Sequence, residues 1–326
     1  MNDFQKMFLG KLILAPMEDV TESPFRIICK KLGADILYTE FISSEGLIRD
    51  AHKSIEKLFF QEEERPIAIQ IFGSNDDSMI EAAKISEKAN PDFIDINCGC
   101  WVRNVALRGA GAGLLKDVSK MKSIAEAVIK NVKLPVTVKT RIGWDENSIK
   151  IVEVSKMMEN IGVQAIAVHC RVRNQRNKGD VDWSWIKRIK DSGVKIPVIL
   201  NGNVNTPEDV KYVFTNFEPD AVMIGQGAVD NPWIFRQAKY LLENGVLEPE
   251  PDIEERIDVC VEHLRLACKL KGEKLGVIEF RKHYSGYLRN LRYISKFRLE
   301  LMQFDEYKPI EEKLLNYKEK QLSEIH

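Results

Sequence analysis

Eight short apolar runs recur along the chain, at Leu12 to Met17, Asp35 to Phe41, Pro66 to Phe72, Phe93 to Cys98, Pro135 to Ile142, Ala165 to Cys170, Pro197 to Asn201 and Ala221 to Gly225. Most are continuous rather than alternating, the pattern of strands buried on both faces in a parallel sheet covered by helices. Helical periodicity fills the gaps. Met79, Ile80, Ala83, Ile85 and Ala89 mark one face of a helix from Asp76 to Ala89, and a second helix is expected from Ser148 to Ile161, closing before Gly162. Thr206-Pro207-Glu208-Asp209 supplies an N-cap, a first-turn proline and acids suited to the helix dipole. Eight strand–helix units in about 240 residues predict a closed (β/α)8 TIM barrel; a doubly wound sheet would show fewer strands and a glycine fingerprint after the first.

The pattern breaks at Leu247-Glu248-Pro249-Glu250-Pro251-Asp252, and no strand-like run follows. Beyond it Ile257, Cys260, Val261, Leu264, Ala267 and Cys268 repeat at helical spacing. The expected organisation is therefore a barrel domain over residues 1–246 and a helical bundle over residues 247–326.

Composition narrows the class without naming a function. Hydrophobic residues make up 44% and charged residues 30% of the 326, the proportions of an ordinary globular protein. A net charge of −1 means that a polyanion partner must be met by a local patch. The six cysteines form no CxxC pair, which argues against a disulfide framework and a zinc ribbon. The apolar start is interrupted by Lys11, and no run approaches the length of a membrane span. A cytoplasmic protein without membrane association or an obligate protein partner is expected.

In such barrels the working face lies at the C-terminal ends of the strands. Those ends carry Pro16-Met17-Glu18, Gln70, Asn97-Cys98-Gly99-Cys100, Lys139-Thr140-Arg141, His169-Cys170-Arg171 and Asn201-Gly202-Asn203. Singly, each has an ordinary reading: Lys139 as a snorkelling surface lysine, Gln70 and His169 as hydrogen-bonded core residues, Cys100 as a packing thiol.

Together they sit in motifs that change the picture. APMEDVTESPFR, IQIFG, DINCGCWVRNV followed by GAGAGLL, VTVKTRIGW, AVHCRVR, ILNGNV and MIGQGAVDNPWIF occur in the order and spacing of the dihydrouridine synthases. Over nearly its whole length the chain resembles that family, FMN enzymes that reduce uridine in RNA, usually tRNA. The resemblance implies FMN held by Pro16, Met17, Gln70, Lys139, His169, Asn201, Gly202, Asn203, Gly225 and Gln226, with NADPH or NADH as reductant. Lys139 would face the electron-rich pyrimidine edge of the flavin, and the glycine loops after the seventh and eighth strands would meet its phosphate. Gln226 stands where most relatives carry arginine, so a charge-assisted phosphate bond becomes a neutral one.

Gly99-Cys100 matches the family's proton-donor loop, which implies hydride to C6 of uracil and a proton from Cys100 to C5. A thiol of pKa about 8.5 is largely protonated near neutral pH and suits that role. Asn97 and Arg171 are the implied substrate contacts, Asn97 through the uracil edge. Trp101 replaces the usual proline, and its indole either stacks on an extruded base or packs the barrel rim. Cys98 reads as structural, and no metal site is expected, since Cys98 and Cys170 alone make weak evidence for one.

Residues 261–300 hold ten Lys or Arg against four acids, with Phe280, Tyr284, Tyr287, Tyr293 and Phe297 interleaved. That mixture suits an RNA surface of phosphate contacts and stacking platforms, or a bundle core of aromatics with a solvated basic face. Lys53, Lys57, Arg103 and Arg108 would extend the track to the barrel mouth. A base must leave its stack to enter a barrel. Two other functions compete: a small-molecule flavin oxidoreductase of the dihydroorotate or dihydropyrimidine type, which has no use for a basic tail, and a catalytically silent RNA-binding homologue, suggested by Trp101 and Gln226.

Overall fold

A computed structural model, describing residues 1–292 and 294–323, arranges the strands as a parallel barrel. They are β1 (Lys11–Leu14), β2 (Leu37–Tyr38), β3 (Ile42–Ser43), β4 (Ile67–Phe72), β5 (Phe93–Cys98), β6 (Val136–Gly143), β7 (Ile166–Val172), β8 (Val198–Asn201) and β9 (Ala221–Ile224). Their order is β1-β9-β8-β7-β6-β5-β4-β2, with β3 also on β4. A parallel bridge between Ile13 and Ile36 closes the ring from β1 to the start of β2.

The expected strand Asp35 to Phe41 is regular only at Leu37–Tyr38 and resumes as β3. Thr39 explains the break: its hydroxyl donates to Glu40 O at 3.0 Å and accepts from Gln70 N–H at 3.1 Å, a local bond that competes with the ladder. The helix expected from Ser148 begins at Ile151, because Asp145 caps a 3₁₀ turn over Glu146–Ser148 first. The other two signals lead to helices at Asp76–Lys88, capped by Asn75, and Pro207–Phe217, where Thr206 and Asp209 form a capping box.

Side-chain alternation sorts the barrel into two apolar layers. Leu12, Leu14, Ile69, Ile94, Ile96 and Cys98 face the helices, whereas Ile13, Ala15, Ala68, Phe93, Ala167, Ala221 and Met223 face inward. Phe4 and Phe8 plug the bottom, Phe8 edge-on to Phe93 at 5.8 Å. Along β5 the alternating positions therefore run from apolar Phe93 to polar Asp95 and Asn97, so polarity collects at the upper end.

After Gly245, whose φ of +77° ends a helix in the left-handed region, a coil leads to helix Ile253–Lys271 and further helices to Ser323. These share a core of Ile257, Cys260, Leu264, Val277, Phe280, Tyr284 and Tyr287, joined to the barrel through Ile28, Leu32 and Trp233. The stacking platforms expected at Phe280, Tyr284 and Tyr287 are thus corrected: all three rings are buried and supply much of the apolar area of this small core. Phe297 stacks on Tyr317 at 4.5 Å, and Tyr293 lies outside the described residues. Ion pairs also thin the basic face, Arg289 with Glu250 at 2.8 Å and Lys271 with Glu22 at 2.5 Å. Arg265, Lys269, Lys274, Arg292 and Lys296 remain exposed. Among the described residues no helix is long and apolar enough to cross a membrane.

Candidate active site

The parallel register decides which polar side chains meet at the barrel mouth. Asn97 pairs with Lys139, Arg141 with His169, and His169 with Asn201. Gln70 lies opposite Asp95 one layer lower.

These residues form a connected chain. Asn97 Oδ1 accepts from the backbone N–H of Gly99 at 3.0 Å and of Cys100 at 2.9 Å, and its Nδ2 donates to Gln70 Oε1 at 2.8 Å. Gln70 Nε2 donates to Asp95 Oδ2 at 2.7 Å, and Thr137 Oγ1 donates to Asp95 Oδ1 at 2.5 Å. Burial still outweighs both donors and lifts the Asp95 pKa to about 6. Gln70 and Asn97 therefore serve each other and the cysteine loop, leaving one amide hydrogen apiece for anything bound above.

Lys139 makes no hydrogen bond or ion pair among the described residues; burial, then the Arg141 charge, pull its pKa down to about 8. Among the described residues His169 Nε2 is buried without a partner, and burial together with Arg141, Lys139 and Arg171 holds the ring neutral. An unmatched ammonium beside an orphaned imidazole nitrogen is uncommon in a finished core: the ammonium needs an acceptor and the nitrogen a hydrogen-bond partner, from a ligand or water.

The Cys100 loop is clamped on two sides. Asn97 holds its N–H groups, and Arg141 Nε donates to Gly99 O at 2.9 Å. Ala112 N–H donates to Cys100 O at 3.0 Å. Gly111, at φ +54°, lies so near that an added Cβ would come 3.0 Å from Cys100 Cβ, so both conformation and space require glycine. Cys100 is 9% exposed, and burial raises its thiol pKa against the opposing pull of the Val102 backbone and Arg141. The thiol is protonated at neutral pH.

On the opposite wall the loops after β8 and β9 press together, since a Cβ on Gly227 would sit 2.6 Å from Val204 O. A Cβ on Gly202 would strike His169 Cδ2 at 2.7 Å, and one on Gly225 would reach Met17 Sδ at 3.4 Å, which places Pro16 and Met17 next to that loop. Asn201 Nδ2 donates to Met223 O at 2.8 Å, and Asn203 Oδ1 accepts from Arg171 Nη2 at 2.9 Å. Arg171 also grips Gly179 O at 2.7 Å, so its guanidinium holds the loop after β7 to the end of β8. Gln226 Nε2 turns along its own helix to Asp230 Oδ1 at 3.0 Å, which leaves backbone rather than side-chain donors at this position. Cys98 and Cys170 pack in the outer layer, and all six cysteines are free.

Two supporting residues were given no role from the sequence, although both lie inside its motifs. Arg141 is one. Arg26 is the other: it pairs with buried Glu64 at 2.5 Å and donates to Thr21 O at 2.9 Å, anchoring the loop that carries Pro16 and Met17. Lys57, expected on an RNA track, is held by Glu18 at 2.5 Å with Glu40 3.9 Å away, so its charge is already met. Lys53, Arg103 and Arg108 are exposed.

The family described as Dihydrouridine synthase (Dus) matches residues 13–324. The tRNA-dihydrouridine synthase B of Vibrio vulnificus is 38% identical over 289 residues, covering 89% of each chain. The probable tRNA-dihydrouridine synthase of Rickettsia bellii is 36% identical over 290 residues, again 89% of each. Among solved structures, TcOYE with pHBA is similar at a TM-score of 0.51 and 15% identity, over 75% of this chain and 91% of that one, and shares the barrel fold.

Proposed function

The chain belongs to the dihydrouridine synthase family, and from that premise we propose that it reduces uridine in RNA, tRNA foremost, to 5,6-dihydrouridine, with FMN bound in the barrel and NADPH or NADH as reductant. The observation that carries this reading is the clamped Cys100 loop set beside Lys139 and His169, two groups without hydrogen-bond partners among the described residues.

The residues present fit a flavin. Lys139 would meet its pyrimidine edge and His169 Nε2 would gain a partner, while Gln70 and Asn97 each have an amide hydrogen left. Pro16 and Met17 would border the ring on the β1 side. Asn201, Gly202, Asn203, Gly225 and Gln226 would surround the phosphate, chiefly through backbone N–H groups. Bound FMN would supply the hydride that reaches C6 of uracil.

The chain's own residues would do the rest. Cys100 Sγ donates its proton to C5; the sulfur is left as thiolate, beside the Arg141 and Lys139 charges that favour it, and water restores the proton. Asn97 fixes the loop so that the thiol is aimed before substrate arrives. Arg171 acts on substrate through the Gly179 loop it holds. Residues 1–246 form the catalytic domain in this reading. Residues 247–326 grip RNA through exposed Arg265, Lys269, Lys274, Arg292 and Lys296, with Lys53, Arg103 and Arg108 nearer the mouth. The enzyme would work in the cytoplasm.

The test is direct: the purified protein should be yellow and, with NADPH, should form dihydrouridine in an unmodified tRNA pool, read by mass spectrometry. A colourless protein that cannot take up FMN, or no dihydrouridine in any RNA pool, would overturn the reading.

A further inference from the structure

Beside the Cys100 loop lies a hollow that the proposed chemistry does not use. Trp101 lines it from the loop after β5, Arg103 and Leu107 from the short helix that follows, Trp144 from the end of β6, and Arg173 and Arg176 from the turn after β7, around a volume of about 340 Å³. Small-ligand clefts run from about 300 to 1,000 Å³, so this one has room for a single nucleotide and not for a folded partner.

Its chemistry is selective. Two indoles and three guanidinium groups line it without a carboxylate. Trp144 is already engaged by cations, with Lys116 Nζ 3.9 Å and the Arg173 guanidinium 4.5 Å from the ring centroid. Trp101 is met only loosely, by Arg176 at 5.7 Å. Arg173 Nε is buried and has no acceptor among the described residues, a gap that native interiors seldom leave and that an incoming anion or carbonyl would close. An acidic peptide would answer the guanidinium groups but not the indole face; a nucleotide answers both.

The hollow is also mechanically tied to the proton donor. Arg176 holds a φ of 54° and a ψ of −113°, a strained conformation for a residue with a side chain. Its carbonyl accepts from Arg141 Nη1 at 2.7 Å, and the same guanidinium donates through Nε to Gly99 O at 2.9 Å. One side chain thus spans the wall of the hollow and the loop that bears Cys100. Cys100 and Trp101 are consecutive, so the thiol and the indole are carried by the same short loop.

We propose that the hollow is a second nucleotide subsite, which takes the base adjacent to the reduced uridine, stacked on Trp101 with a phosphate or carbonyl on Arg173. Arg141 couples its filling to the placement of the cysteine loop. The identity of the polymer rests on the uridine-reduction reading above. Any base has a π face, so the subsite demands an unstacked neighbour more than a particular letter.

The experiment is a cycle between protein and RNA, read as equilibrium binding by fluorescence anisotropy with the FMN-loaded enzyme. The probes are labelled RNA hexamers with one uridine among adenosines, intact or with an abasic ribose on the 5′ or the 3′ side of that uridine. Trp101→Ala should weaken binding of the intact RNA about 10-fold, and Trp101→Phe much less. One abasic RNA should lose the same factor on wild type and nothing further on Trp101→Ala. Should Trp101→Ala not fold, Trp101→Leu against Trp101→Phe gives the same contrast, since both pack but only one stacks. Unchanged affinity in the variants, additive losses in the cycle, or equal affinity for polyglutamate would each overturn the subsite. Coupled losses without any dihydrouridine would support the subsite and sink the uridine-reduction reading; dihydrouridine with additive losses would do the reverse.

Discussion

Replacing Asn97 by alanine tests whether the cysteine loop is held from below. The side chain is 6% exposed and satisfies three groups: the N–H of Gly99 at 3.0 Å, the N–H of Cys100 at 2.9 Å and Gln70 Oε1 at 2.8 Å. Gly99 is half-buried and can turn to water, so its loss is discounted. Cys100 N–H and Gln70 Oε1 are buried, and an unsatisfied buried group costs about 1–3 kcal/mol, giving about 2–4 kcal/mol in all after partial relaxation. Urea unfolding of the flavin-free protein reads that loss. The same change frees the loop to shift, and a displacement near 1 Å at a reacting group slows chemistry about 100-fold. Single-turnover oxidation of the reduced flavoenzyme by tRNA should fall by that order, while flavin reduction by NADPH stays as it was. A variant that unfolds at the wild-type urea concentration and turns over at the wild-type rate would refute the clamp.

Three further outcomes follow from the same geometry. Lys139 titrates at about 8 in the folded protein against 10.5 when unperturbed, so between those values the unfolded chain binds more protons and stability of the flavin-free protein rises with pH. Lys139→Met should abolish that rise in urea titrations across the window and weaken FMN binding; a rise that persists assigns it elsewhere. Gln226→Arg should tighten FMN about tenfold in a flavin-fluorescence titration by restoring a charge-assisted phosphate bond, and unaltered affinity would mean that the backbone alone holds the phosphate. Phe280→Ala should cost about 3–5 kcal/mol of stability as a core truncation, with tRNA affinity unchanged while the chain is folded; a specific loss of affinity would return the ring to the RNA surface.

The barrel was legible because its strands are continuous apolar runs, and only Thr39, through a side-chain bond that apolar periodicity does not encode, hid the split of the second strand. Residue types at strand ends located the mouth, since parallel register brings those ends to one level. What the sequence could not give was the direction of each amide and guanidinium. The resemblance implies Asn97 and Arg171 as substrate contacts, but it does not say that Asn97 also accepts from Cys100 N–H or that Arg171 also donates to Gly179 O. Arg141 was placed at a strand end but given no role for the same reason, as its bonds reach Gly99 and Arg176 across three strands. The aromatic residues of the helical region misled because a basic stretch interleaved with rings is written alike for an RNA face and for a bundle core. Burial alone separates the two.

The most direct test of the account concerns the Cys100 sulfur. Reduced wild-type enzyme mixed with tRNA in heavy water should place deuterium at C5 of the dihydrouridine as the flavin reoxidises. Cys100→Ala should slow that reoxidation by about 10²–10⁴-fold and leave flavin reduction by NADPH untouched. A Cys100→Ala enzyme that saturates uridine at the wild-type rate would contradict the assignment of the proton to this thiol.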